Sequence, residues 1–204
     1  MNKQFWDERY ASETFAYGES PNDFIKETLP HYLPGKILFP ADGEGRNSVY
    51  AAQLGYQVSA FDLSDSGKEK ALNLAHKHAV SIDYKVDSAE VIEYLEGEFD
   101  AIAFVFAHFP ADVKQQYNQK MLNFLKSGGY VFFEAFSKEH LEYQKQYPKV
   151  GGPKDLEMLF SKEELLASFE GLETILLEIK EVMLSEGPFH QGTGSVIRYI
   201  GRKK

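Results

Sequence analysis

Apolar runs of strand length alternate with longer segments of helical period along most of this chain, and that alternation points to a parallel α/β sheet. The clearest run is Phe99–Phe106 (FDAIAFVF), almost continuously apolar, as expected of a strand covered on both faces. Upstream, the pattern predicts strands at Lys36–Phe39, Tyr56–Phe61 and Ser81–Val86. Helices are predicted at Arg46–Leu54 and Ala89–Leu95, and from Ser66, spaced with Glu69 as a capping box, to about His78. Downstream, Pro110 suits the first turn of a helix with a stripe at Val113, Tyr117 and Met121, ended by Gly128-Gly129. Tyr130–Phe136 is a fifth strand. Ser161 and Glu164 repeat the capping-box spacing and open a helix to Phe169. Thr174–Leu184 and Ser195–Gly201 have no helix between them, so they read as a closing antiparallel pair. The expectation is an α/β sheet of seven strands, mostly parallel, with helices on both faces. Residues 137–160 hold a charged, aromatic helix-like stretch and then Val150-Gly151-Gly152-Pro153. They read as an insertion over the carboxyl edge of the sheet, where open α/β folds place their ligands.

Composition narrows the class. The 204 residues suffice for one domain with a real core, and the formal charge of −9 argues against a general nucleic-acid binder. Cysteine is absent, which excludes disulfides, thiolate–zinc sites, cysteine-ligated iron–sulfur clusters and a cysteine nucleophile. MNKQFWDERY is too polar for a signal peptide, and no stretch approaches the roughly 18 apolar residues of a membrane span. A cytoplasmic, acidic single domain without a resident metal is expected.

The segment Ile37–Asn47 (ILFPADGEGRN) carries the most chemical information. Two glycines, Gly43 and Gly45, fall where the first strand must turn into the first helix, and they let a ligand lie against the main chain. The helix amino-terminus just beyond offers free N–H donors to a carboxylate or phosphate. About 17 residues past Gly45 comes Asp62, ending QVSAFD, whose carboxylate can accept from both hydroxyls of a ribose.

With these motifs the sequence resembles the class I S-adenosylmethionine-dependent methyltransferases, and most of all the small bacterial enzymes related to the tellurite-resistance and thiopurine methyltransferases. The segments that carry the likeness are FWDERYA–YGESPNDF, DGEGRNSVYAAQLGYQVSAFDLS, FDAIAFVFAHFP with LKSGGYVFFEAF, and EGPFHQGTGSVIRYIGRKK. The resemblance implies a Rossmann-like methyltransferase sheet divided into a lid with its helices (1–35), a cofactor-binding core (36–136), an active-site insertion (137–160) and a carboxyl-terminal helix and hairpin (161–204). It implies S-adenosylmethionine as cofactor, with Ala41, Gly43 and Gly45 forming the turn beneath its methionine part. Asp62 would hold the ribose, Leu63 would pack beside the adenine, and Asp87 would accept from the adenine amino group with Ser88 next to it. Phe106 and Ala107 would line the sulfonium side. Trp6, Arg9 and Tyr17 would fold over the cofactor, Arg9 facing its carboxylate. Phe39 and Ala41 stand where the family carries an acid and its first glycine, which leaves Asp42 or Glu44 to support the methionine amino group.

A sulfonium methyl donor is already reactive, so the protein has to align a nucleophile and exclude water. Without cysteine, methyl should pass directly to the acceptor. Where a base is needed, the candidates are His108 in AHFP, Glu134 at the end of the fifth strand, and His190 in PFHQG. His31, His76, His78 and His140 read as helix or loop surface. Phe5, Trp6, Tyr10, Phe15 and Tyr17 read mainly as packing, with a few available to wall an apolar pocket. The absence of a separate substrate domain favours a small-molecule acceptor over nucleic acid, membrane or protein. Two other readings share the glycine turn. A cofactor-binding relative without catalysis fits the altered Phe39 and Ala41. An NAD-dependent oxidoreductase would need its third glycine at Ser48.

Overall fold

In the computed structural model, which describes residues 2–204, seven strands form one sheet in the order β3-β2-β1-β4-β5-β7-β6. They are β1 (Lys36–Pro40), β2 (Gln57–Asp62), β3 (Asp83–Val86), β4 (Phe99–Val105), β5 (Leu125–Phe136), β6 (Leu172–Glu186) and β7 (His190–Lys203). The first five run parallel, and β7 lies antiparallel between β5 and β6. Among the described residues the α-helices are α1 (Lys3–Tyr10), α2 (Asp23–Thr28), α3 (Arg46–Gln53), α4 (Asp65–Lys77), α5 (Lys114–Asn123), α6 (His140–Gln146) and α7 (Lys162–Ser168). None is long and apolar enough to cross a membrane.

Side-chain alternation along the strands builds two cores. Ile37, Phe39, Ala101, Ala103 and Phe132 point to one face, where Phe24, Ile25, Ala51 and Ala71 from α2, α3 and α4 cover them. Leu38, Ile102, Phe104, Val131 and Phe133 point to the other, against Met121 of α5 and Leu165 of α7. The near-continuous apolar reading of β4 follows from this burial on both sides. The order reverses between β1 and β4, which opens a crevice at their carboxyl ends.

Four local expectations change. No helix spans Ala89–Leu95. A single turn, closed by the N–H groups of Val91 and Ile92 donating to the Ser88 carbonyl, seats Ala89 and Ile92 in the core and leaves Val91 and Leu95 exposed. Ser64 rather than Ser66 caps α4, its hydroxyl accepting from the Gly67 N–H, because Asp7 of α1 takes the Ser66 N–H. Helix α5 begins at Lys114 and ends at Asn123, and Gly128-Gly129 lie inside β5, which already pairs with Phe99 at Leu125. His140 is fully buried, not a surface residue. Its Nδ1 accepts from the Ser195 N–H and its Nε2 bonds the Gly151 carbonyl. The Ser161–Glu164 capping box and the closing β6–β7 pair form as expected.

Candidate active site

At the carboxyl end of β1 the chain turns through Ala41 (φ +52°), Gly43 (φ +61°) and Gly45 (φ +84°) before α3 begins. Ala41, standing where a first glycine is usual, adopts the left-handed conformation a glycine would supply, at a cost of roughly 1–2 kcal/mol. Gly43 is held from three sides. Its N–H donates to Asp62 Oδ2 at 3.0 Å, its carbonyl accepts from the Tyr84 hydroxyl at 2.6 Å, and a Cβ on it would stand 2.6 Å from the Tyr10 hydroxyl. Asp62 Oδ1 accepts from the Ser64 N–H at 3.0 Å, so this one carboxylate ties the turn after β1 to the end of β2. Burial pushes the Asp62 carboxyl up to about 6, with those N–H groups pulling it back.

A cavity of about 680 Å³ opens over this turn. The sequence-predicted Trp6, Arg9, Tyr17, Ala41, Asp42, Gly43, Asp62, Leu63, Asp87, Ser88, Phe106, His108 and His190 all line it. Gly45, Ala107 and Glu134 do not. Gly45 instead lets α3 start against α4, since a Cβ there would meet the Ala71 Cβ at 2.5 Å. Ala107 turns into the core beside Phe109. Glu134 is buried in an ion pair with Arg198 Nε at 2.5 Å and accepts from Asn22 Nδ2 at 2.6 Å, which removes it from contact with a ligand.

The acids at the turn divide their work. Glu44 spends both oxygens on the chain, one on Lys70 at 2.7 Å and one on the Ala16 N–H at 2.8 Å. Asp42 Oδ2 is buried without a partner, and burial pushes its carboxyl up to about 8. Arg46 Nη1, also on the cavity, is likewise unpartnered. One unpartnered oxygen on a buried acid, near a guanidinium that has one nitrogen unpartnered and the other on Glu186, suits a ligand carrying both an ammonium and a carboxylate.

Opposite the turn stands a wall assembled from distant segments. Trp6 stacks on Tyr10 at 5.5 Å, Tyr17 packs on His190 at 4.5 Å, and His190 meets Phe106 at 4.8 Å and Phe136 at 5.3 Å. Phe106, like Ala41, has a positive φ (+51°), so both residues ending the strands of the crevice are held in a strained conformation. Arg9 donates to the Tyr17 hydroxyl at 3.3 Å and lies 4.0 Å over the Phe189 ring at the β6–β7 turn. Pro148, Gly151 and Pro153 complete the rim.

The histidines separate sharply. His108 bonds Met158 O through Nδ1 at 3.0 Å and accepts the Phe136 N–H on Nε2 at 3.2 Å. Burial lowers its pKa to about 4. Both nitrogens therefore serve the backbone, and the expectation of a base after the fourth strand is corrected here. His190 bonds Glu186 through Nδ1 at 2.9 Å, and no protein group hydrogen-bonds its Nε2 among the described residues. Glu186, Arg46, Phe136 and Phe189 escaped the sequence reading. For Glu186 a signal existed, because it and His190 flank the hairpin turn and pair directly across it.

Residues 37–129 match the sequence family described as a methyltransferase domain. No curated protein matches the chain. Among solved structures, the one reported for conversion of a disulfide bond into a thioacetal group during echinomycin biosynthesis superposes with a TM-score of 0.78 at 18% identity, covering 98% of this chain and 92% of that one. TehB from Haemophilus influenzae gives 0.71 at 18%, over 99% and 67%. An S-adenosylmethionine-dependent methyltransferase from Methanosarcina mazei gives 0.66 at 18%, over 90% and 98%. Residues 37–129 therefore carry a methyltransferase domain, and the seven-stranded fold around them is the one seen in S-adenosylmethionine-dependent methyltransferases.

Proposed function

We propose that the protein methylates a small, largely apolar molecule, with His190 as the base that receives the acceptor's proton. The observation that carries this reading is a single cavity lined by Asp42, with one carboxyl oxygen unpartnered, by Phe106 and by His190, whose Nε2 has no hydrogen-bond partner among the described residues. When bound, S-adenosylmethionine supplies the reactive sulfonium methyl. Asp42 would hold its ammonium, and Arg9 and Arg46 its carboxylate. Asp62 would take the ribose hydroxyls, and Leu63, Asp87 and Ser88 would frame the adenine. Residues 1–35 would serve as a lid over the core of 36–136. The insertion 137–160 and the hairpin of 161–204 would close the acceptor side.

The acceptor side is walled by Tyr17, Phe106, Phe136 and Phe189, which favours a small apolar or aromatic body. A cysteine-free, acidic chain suits a reducing, cytoplasmic setting. The oxidoreductase alternative loses its ground to the family match and the antiparallel hairpin.

Calorimetry with S-adenosylhomocysteine tests the cofactor assignment: no binding by the folded protein would sink it. Asp62→Ala should weaken that binding by at least about tenfold, the loss expected when ribose hydroxyls lose a buried acceptor. Turnover of labelled S-adenosylmethionine with thiols, phenols, amines and metalloid oxyanions then separates methyl transfer from binding alone.

A further inference from the structure

We propose that Glu186 is a positioning residue for this reaction: across the hairpin it takes the Nδ1–H of His190 and so leaves the Nε2 lone pair turned to the cavity for the acceptor's proton. The inference rests on the methyl-transfer reading above and deepens it.

The geometry fixes the tautomer. Glu186 Oε2 lies 2.9 Å from His190 Nδ1 and 3.0 Å from Arg46 Nη2, while Oε1 accepts from Asn22 Nδ2 at 3.1 Å. Three donors from β7, α3 and the cap of α2 thus converge on one carboxylate. Burial alone would raise the Glu186 pKa, but Arg46 and His190 outweigh it and hold it down at about 2. An ionised carboxylate only accepts, so Nδ1 must carry the hydrogen, and in the neutral ring Nε2 is then bare. The His190 ring is closely surrounded. It is wedged between Tyr17 and Phe136, and a Cβ on Gly151 would stand 2.6 Å from its Cδ2 and 3.2 Å from Nε2.

The contrast with the neighbouring histidines gives the arrangement its meaning. His108 and His140 also pack on Phe136, yet each bonds backbone groups through both ring nitrogens. Only His190, among these three, trades a backbone partner for a carboxylate and keeps one nitrogen free.

The charged and titratable groups facing it are Glu186 from β6, Arg46 from α3, Arg9 from α1, and Tyr17, His108 and His140. Burial, Arg46 and Arg9 keep the imidazole neutral near pH 7, whereas Glu186 favours the imidazolium. As the acceptor's X–H bond breaks, its electron pair stays on X as the nucleophile, and the proton forms Nε2–H. The resulting cation faces Glu186 and returns its proton to water. This is the orienting role a carboxylate plays beside a catalytic imidazole.

Nitrogen NMR of protein labelled with ¹⁵N-histidine tests this without any acceptor, the His190 signals being assigned by their loss in His190→Gln. The expected spectrum at pH 7.5 shows neutral His190 protonated on Nδ1. Glu186→Gln should lower its pKa by at least about half a unit and Arg46→Gln should raise it, opposite signs from two neighbours. With the acceptor found by turnover, Glu186→Gln should cut kcat at least about tenfold under saturating S-adenosylmethionine. An Nε2–H tautomer in the unaltered protein, or a pKa that Glu186→Gln does not move, overturns the proposal. The tautomer measurement stands even where a variant fails to fold. Failure of S-adenosylhomocysteine to bind would instead remove the parent reading and leave the tautomer result intact.

Discussion

At the scale of single residues, the site is built from groups whose ordinary needs are left unmet. Asp42 is the clearest case: a carboxyl pushed up to about 8 by burial, with one oxygen unpartnered. Its unfolded value lies near 4, so the folded protein holds a proton there that the unfolded chain releases. Stability from this group is greatest below about pH 4 and declines as pH rises toward 8. Asp42→Asn removes that liability. Thermal melts of the cofactor-free protein should show the variant above the unaltered chain by about 2–6 °C at pH 8, with the gap closing near pH 4. The same variant should bind S-adenosylhomocysteine at least about tenfold more weakly by calorimetry, through loss of a charged partner for the ammonium. An equal affinity would mean that the ammonium lies elsewhere. Ala41 and Phe106 belong to the same pattern, since strain at the ends of β1 and β4 is maintained only where the surrounding packing holds it.

At the scale of elements, what matters is how closely neighbours approach the glycine turn. Gly45 and Ala71 show how α3 and α4 reach their spacing. A Cβ at Gly45 would stand 2.5 Å from the Ala71 Cβ and 2.8 Å from its Cα. Gly45→Ala should therefore cost about 2–4 kcal/mol in denaturant unfolding, combining overpacking with left-handed strain. Adding Ala71→Gly should recover only part, because the close approach to the α4 backbone and the positive φ persist. Full recovery would show that the side-chain clash alone sets the cost. Helix starts were legible in sequence where the cap lies within its own segment, as at Ser161 and Glu164. The start of α4 was not, because Ser64 and Ser66 are equivalent until Asp7, some sixty residues away, bonds the Ser64 hydroxyl at 2.7 Å and the Ser66 N–H at 3.3 Å. The turn at Ala89–Val91 imitates a helix in sequence for a related reason. Two buried anchors, Ala89 and Ile92, satisfy the core without a full helical face.

At the scale of the whole molecule, a buried polar network joins the amino-terminal segment to the closing hairpin. Asn22 bridges Glu134 and Glu186, and these carboxylates pair with Arg198 and Arg46. Amino-terminal segment, central sheet and hairpin thereby meet at one side chain, and all three line or support the cavity. Burial raises the Glu134 pKa and Arg198 opposes it, so loss of the carboxylate strands a buried guanidinium. Glu134→Gln should destabilise the fold by about 3–5 kcal/mol. Methyl transfer should fall only in proportion to the folded fraction, read from melting curves and turnover at low temperature. A larger loss of turnover in fully folded protein would return Glu134 to the chemistry.

The alternation of apolar runs and the glycine turn with its acid at Asp62 were enough to specify the sheet and the floor of the cavity, because those signals lie within one strand–turn–helix unit or repeat with the period of a strand. The identity of the free imidazole was decided by tertiary structure alone. His108 and His190 look alike in sequence, each beside a phenylalanine and close to a strand end. Packing gave His108 a carbonyl fifty residues away and the N–H of Phe136, and it gave His190 the carboxylate of Glu186 and an open edge. Whether a ring nitrogen keeps its lone pair depends on which distant polar groups need a partner once water is excluded, and a linear pattern does not carry that requirement.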